Sequence, residues 1–274
     1  DKWIDNVGEF DMLVSMATFG YNERDMTTEA KVIDTPKVVY EAQGLFHPFL
    51  GRNAVRNDFS VSDRNFYIIT GANMAGKSTF LRSLGINYVL AMNGMPVFAN
   101  RLTLSRFNLF TSMRTTDDLT HGISYFNAEL LRLKQIIDAI SPVKSVNNKP
   151  AQSRDEKMVS PETDSLPSGE NRNDVSKRRG ATLIILDEIL KGTNSEDKLS
   201  GSRMFLEYVA NRNVTGVIAT HDLKLSAMTD EYPDRFHNFC FEIALGTDVT
   251  YTYKITPGVA RNQNATFLLN KLLH

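Results

Sequence analysis

The chain has 274 residues, 42% hydrophobic and 23% charged, ordinary values for a globular protein and enough for one large α/β domain or two small ones. Lys and Arg number 31 against 32 Asp and Glu, so no global charge draws the chain to nucleic acid or to an anionic membrane, and any DNA contact has to be local or lie outside this chain. Cys240 is the single cysteine, which excludes an internal disulfide, and no run reaches the roughly 18 apolar residues that span a bilayer, so a reducing, cytoplasmic setting is expected.

Beginning on Asp1 rather than Met, and without a signal peptide, the chain reads as a piece of a longer one. Trp3, Val7, Phe10, Val14 and Ala17 keep close to the 3.6 period and predict a helix over 1–19. Residues 20–36 read as a loop and 37–42 as a short strand. The apolar run 66–70 ends at a glycine-rich turn, the pattern of a buried strand feeding a loop, and 77–92 reads as the helix that follows. Another strand is expected at 106–113. Residues 124–140 carry the clearest helical period, with Phe126, Leu130, Leu133, Ile137 and Ile140 on one face and Ser124 as N-cap. The composition then changes. Residues 141–179 hold four of the nine prolines and no aromatic residue, too little apolar surface to offset the entropy of ordering, and read as a disordered insertion. A strand at 181–186, a helix at 195–210, a strand at 214–219, a helix at 222–229, a β-hairpin of 236–245 and 249–256, and a final helix at 263–273 complete the chain. Strands alternating with helices predict an α/β fold with a mainly parallel, covered sheet.

Three motifs carry chemistry. Gly71-Ala72-Asn73-Met74-Ala75-Gly76-Lys77-Ser78 matches G-x-x-x-x-G-K-[ST] between a strand and a helix. Gly71 and Gly76 let the backbone curl so that its N–H groups face phosphate oxygens, and the following helix aims its positive end at the same anion. Lys77 is expected on the β- and γ-phosphates of ATP and Ser78 on Mg²⁺. The run 183–186 ends in Asp187 and Glu188, which places two carboxylates at the ligand edge of a buried strand. Asp187 is expected to hold the magnesium and Glu188 to orient or deprotonate the attacking water. His221 follows the strand 214–219 by the same logic and is a candidate γ-phosphate contact, with Asp222 the N-cap of the next helix. Glu129 reads as an exposed helical acid.

With these motifs the chain resembles the MutS family of DNA-repair ATPases from about residue 37 to the end, 141–179 apart. The family's loop reads Gly-Pro-Asn-Met-Gly-Gly-Lys-Ser-Thr, and here the stretch runs from Gly71 to Thr79 with Asn73 and Met74 in common. Residues 117–129 look like the family's signature segment, with Ser124-Tyr125-Phe126 where Ser-Thr-Phe stands, and His121 where a small residue is usual. The stretch from Asp187 to Ser195 is similar to Asp-Glu-Ile-Gly-Arg-Gly-Thr, and its wording is nearest to stand-alone bacterial MutS-related proteins.

The resemblance implies a P-loop ATPase domain of the ABC type over 37–274, with 1–36 the end of a lever-helix region and its connector. It implies a homodimer or heterodimer with composite ATP sites. Ser124 and Gly122 would start a helix facing the ATP of the opposite subunit, and Gly192, Thr193 and Asn194 would form a loop crossing the interface. His47-Pro48 would precede the adenine pocket, where an aromatic residue expected near Ala54 is missing, and Tyr253 would be a second adenine contact. DNA would be bound through domains outside this chain. Two rival readings stand beside this one. In the first, ATP binding rather than turnover closes a clamp or scaffold. In the second, the chain is an ABC-type ATPase of transport or chromosome architecture, against which Asn73-Met74 and the Ser124-Tyr125-Phe126 wording argue.

Overall fold

The computed structural model describes residues 2–113, 125–140, 180–191, 193–245 and 249–261. Two units divide the chain, 1–140 with 180–274, and 141–179. The second unit lies outside the described residues, as do the expected final helix at 263–273, Gly122, Ser124 and Gly192.

Two sheets build the first unit. The larger is six-stranded, in the order β10-β9-β4-β8-β7-β6. Its members are β4 (Phe66–Gly71), β6 (Asn108–Ser112), β7 (Thr182–Asp187), β8 (Val214–Ala219), β9 (Phe236–Leu245) and β10 (Val249–Pro257). β9, β4, β8, β7 and β6 run parallel, and β10 returns antiparallel to β9. The smaller sheet has the order β1-β5-β2-β3, from β1 (Lys31–Ile33), β2 (Tyr40–Leu45), β3 (Asn57–Val61) and β5 (Arg101–Ser105).

β4, β7 and β8 are buried along their whole length because successive side chains point to opposite faces and both faces are covered. Tyr67, Ile69, Leu183, Ile185 and Val217 pack with Leu81 and Leu84 of α2 (Lys77–Met92) and with the smaller sheet. Phe66, Ile68, Ile184, Leu186 and Ile218 pack on the other side. There they meet Leu133 and Ile136 of α3 (Tyr125–Ile140), Phe205 and Leu206 of α4 (Ser195–Ala210), and Met228 of α5 (Met228–Glu231).

The interior of this sandwich has no spare room at Gly216. A Cβ there would lie 2.5 Å from Cδ1 of Phe66, which is fully buried and stacked on Phe236 at 5.1 Å. Gly216→Ala is therefore expected to destabilise the fold by about 1–3 kcal/mol through overpacking. A denaturant midpoint equal to wild type would show that Phe66 yields freely.

Three local expectations need correction. Residues 20–36 are not only a loop: β1 pairs parallel with β5, and Thr28 bridges to Val97. A three-residue edge strand with Val32 41% exposed carries no alternation to read. The strand expected at 37–42 lies at Tyr40–Leu45, and β3 and β5 went unread because Asn57 and Thr103 occupy buried positions in them. The helix expected at 222–229 is a 3₁₀ turn, Leu223–Ala227, followed by the single turn of α5. The apolar face of α1 (Lys2–Asn22) is exposed in this chain, with Trp3 83% and Phe10 69% accessible.

Candidate functional site

Parallel order decides what meets at the sheet edge. β4, β8 and β7 are neighbours, so their C-terminal ends bring together the turn at Gly71, the segment from Thr220 to Asp222, and the pair Asp187-Glu188. Backbone hydrogen bonds tie the three ends: Thr220 N–H donates to Ile69 O, and Glu188 N–H to Ala219 O, both at 2.9 Å.

The loop after β4 needs its glycines. Gly71 has φ 153° and Gly76 φ 110°. A Cβ on Gly71 would sit 2.9 Å from Phe241 O, and one on Gly76 3.3 Å from Cδ1 of Tyr253. The backbone thus takes a path that side chains would block. Ala72 and Ala75 are buried, whereas Asn73 and Met74 are exposed on the outer bend, Met74 with φ 66°. Gly76 is the N-cap of α2 and supplies no side-chain cap, so the first turn, with Ser78 and Thr79, opens onto the loop. Lys77 is buried, and its ammonium donates to Gly71 O at 2.7 Å and Ala72 O at 2.9 Å.

Beside this loop lies a cavity of about 710 Å³, within the size of a small-molecule site. Asn73, Met74, Lys77, Ser78, Thr79 and Glu188 are among the residues that line it. Phe46, His47, Leu50, Ala54 and Tyr253 line it too. His47 Nδ1 accepts from Phe49 N–H and caps the turn Pro48–Asn53, and burial with nearby Arg82 lowers its pKa. An irregularity in the β9–β10 register between Tyr251 and Ile255 turns Tyr253 (φ 53°) toward the loop. Tyr253 O accepts from Asn57 Nδ2 at 3.0 Å.

Asp187 and Glu188 differ sharply in their surroundings. Asp187 is 3% exposed and its Oδ2 is buried with no hydrogen-bond partner among the described residues. A buried, unpartnered carboxylate oxygen is costly unless a cation lies against it. Among the described residues no cluster of three or more His, Cys, Asp or Glu could cage a metal. A single buried carboxylate of this kind suits Mg²⁺, which takes one or two protein ligands and completes its shell with phosphates and water.

Glu188 is held from two sides. His221 Nδ1 lies 2.9 Å from Oε1, and Lys191 Nζ 3.0 Å from Oε2. Burial alone would raise its pKa; the hydrogen bonds and charges of His221 and Lys191 outweigh that and hold it below the usual glutamate range. His221 itself is about half exposed. Asp222 is the expected N-cap: its carboxylate accepts from Lys224 N–H.

Glu129 is not the exposed helical acid its position suggested. It is 8% exposed, and its two oxygens accept from Leu190 N–H at 2.6 Å and Lys191 N–H at 3.0 Å. The inward face of α3 is Phe126, Glu129, Leu133, Ile136, Ile137 and Ile140, and of the residues expected there only Leu130 points outward, at 41% exposure. The readable signal was an acid inside the apolar stripe, three residues after Phe126 and four before Leu133. Lys191 was missed as a partner of Glu188, although it stands at i+3. Thr193 precedes Asn194, which caps α4 through the Asp197 N–H.

Site and fold together define a mixed α/β architecture, and residues 67–146 match the family model described as MutS domain V. DNA mismatch repair protein MutS of Thermotoga maritima is 28% identical over 225 residues, 80% of this chain and 24% of that protein. That of Methanococcoides burtonii is 26% identical over 267 residues, 92% of this chain and 25% of that protein. MutS protein homolog 4 of Homo sapiens is 26% identical over 280 residues, covering 96% and 25%. The chain belongs to the MutS family. It spans about a quarter of the length of these relatives. Among the described residues no helix is long and apolar enough to cross a membrane.

Proposed function

We propose that this chain is an ABC-type P-loop ATPase domain that binds and hydrolyses Mg-ATP and so drives conformational change in a DNA-binding protein of the repair or recombination class. The single observation that carries the reading is the convergence at one sheet edge. The Gly71–Thr79 loop, Asp187-Glu188 and His221 follow neighbouring parallel strands, and the loop and Glu188 line the same cavity.

Gly71, Ala72, Asn73, Met74, Ala75, Gly76, Lys77, Ser78 and Thr79 cradle the phosphates, with Lys77 on the β- and γ-phosphates. Ser78 and Asp187 hold Mg²⁺, whose charge offsets that developing on the phosphates. Glu188 orients and deprotonates the attacking water. His221, about half exposed beside Glu188, contacts the γ-phosphate and keeps the glutamate in register. The adenine lies toward His47 and Tyr253, which line the same cavity as Glu188. Ser124 of the partner subunit completes each site in a homodimer or heterodimer, and DNA is engaged through domains outside this chain.

One observation favours a nucleotide-gated switch instead. The Lys191–Glu188 ion pair has to open or turn before that carboxylate serves a water. Steady-state ATP hydrolysis across a wide range of protein concentration, with Lys77→Ala as the blank, separates the readings. Specific activity is expected to rise with concentration and to vanish in the blank. Activity independent of concentration would remove the trans role of Ser124. ATP binding with no turnover above the blank would favour the switch.

A further inference from the structure

Glu188 stands on a turn that its own residues disfavour. Glu188 has φ 63° and Leu190 φ 58°, left-handed conformations that neither side chain prefers. Such a turn persists only where its surroundings over-determine it. Part of the restraint is packing: Leu190 is buried, and its Cδ1 would lie 2.4 Å from a Cβ on Gly201 of α4, so the missing side chain there makes its room. The rest is Glu129, which reaches from α3 across 61 residues of sequence and takes the Leu190 and Lys191 amides on its two oxygens.

We propose that Glu129 is a positioning residue for hydrolysis, acting through the turn from Glu188 to Lys191. This rests on the reading of Glu188 as the group that activates water. A carboxylate accepting two backbone N–H groups forms two charge-assisted bonds and fixes the peptide planes that carry them. Fixing Leu190 and Lys191 sets the direction in which Glu188 leaves the chain. Glu129 has no atom on the phosphates in this scheme. Its effect is to hold the base within the narrow range of positions that reaction requires.

Glu129→Gln keeps the shape and one acceptor but sets its NH₂ against the second amide. Two measurements on the full chain test the proposal together. Hydrogen exchange of the Leu190 and Lys191 amides is expected to be protected in wild type and clearly faster in the variant. The kcat for ATP is expected to fall by about tenfold to a hundredfold, the loss that follows a misplacement of about 1 Å, with KM and the Kd for ATP within about twofold. In a Glu188→Gln background the same change is expected to remove nothing more. Unchanged amide exchange, or a kcat within about twofold of wild type, overturns the positioning role while leaving the ATPase reading intact. A wild-type chain with no hydrolysis above the Lys77→Ala blank overturns the ATPase reading itself, and this role with it, whatever the amides do. Glu129→Asp guards against a variant that does not fold. It keeps both acceptors but draws them back by about 1.5 Å, so kcat is again expected to fall with Kd held, and an unaltered kcat overturns the proposal.

Discussion

Glu188→Gln is expected to lower ATP turnover by about 10²- to 10⁴-fold, the range for loss of a positioned general base, while ATP still binds. The carboxamide has nearly the same volume, which matters at a site 6% exposed. It adopts the φ of 63° no less readily than glutamate does. What it loses is basicity and charge. Its oxygen still meets His221 Nδ1 or Lys191 Nζ, which lie 2.9 and 3.0 Å from the native carboxylate, so the side chain stays in place. The change therefore separates chemistry from architecture. Phosphate release and nucleotide affinity measured side by side check it. Turnover within tenfold of wild type would place the base elsewhere.

Lys77→Ala acts one step earlier, on binding. The ammonium sits at the mouth of the loop, donating to Gly71 O and Ala72 O, at the start of a helix whose N-cap is a glycine. Two charge-assisted bonds to phosphate, at roughly 1.5–3 kcal/mol each, imply a loss of about 10²- to 10⁴-fold in ATP affinity. The bonds to Gly71 O and Ala72 O come from a charged donor, about 1.5–3 kcal/mol each, and their loss is partly offset because a buried charge leaves with them, so the fold is expected to survive at reduced stability. Calorimetric titration with Mg-ATP, alongside a denaturation curve, distinguishes lost affinity from lost fold. A Kd within about threefold of wild type would show that the lysine serves the loop alone.

Much of the site was legible because its parts are local in sequence. Gly71 and Gly76 announce a backbone that curls, and the structure gives both left-handed conformations against Phe241 and Tyr253. The runs before Gly71, Asp187 and Thr220 read as buried strands because both faces of the sheet are covered and no alternation is needed. Asp222 capped the turn it was expected to cap. The short strands of the smaller sheet were less readable. β1 and β5 pair across 72 positions, Lys31 with Thr103, and owe their existence to that pairing rather than to a local pattern.

Periodicity alone determined that this chain alternates strands and helices, and spacing alone placed a glycine loop, an acid pair and a histidine each at the end of a strand. Those properties depend on neighbours a few positions away, which any segment carries with it. Tertiary structure decided what those ends face. The order β4-β8-β7 turned three separate motifs into one edge. Glu129 shows the difference most sharply. By composition it is a charge on a helix, and such charges usually face water. Two amide donors 61 and 62 residues away make its burial tolerable, and only the folded chain brings them there.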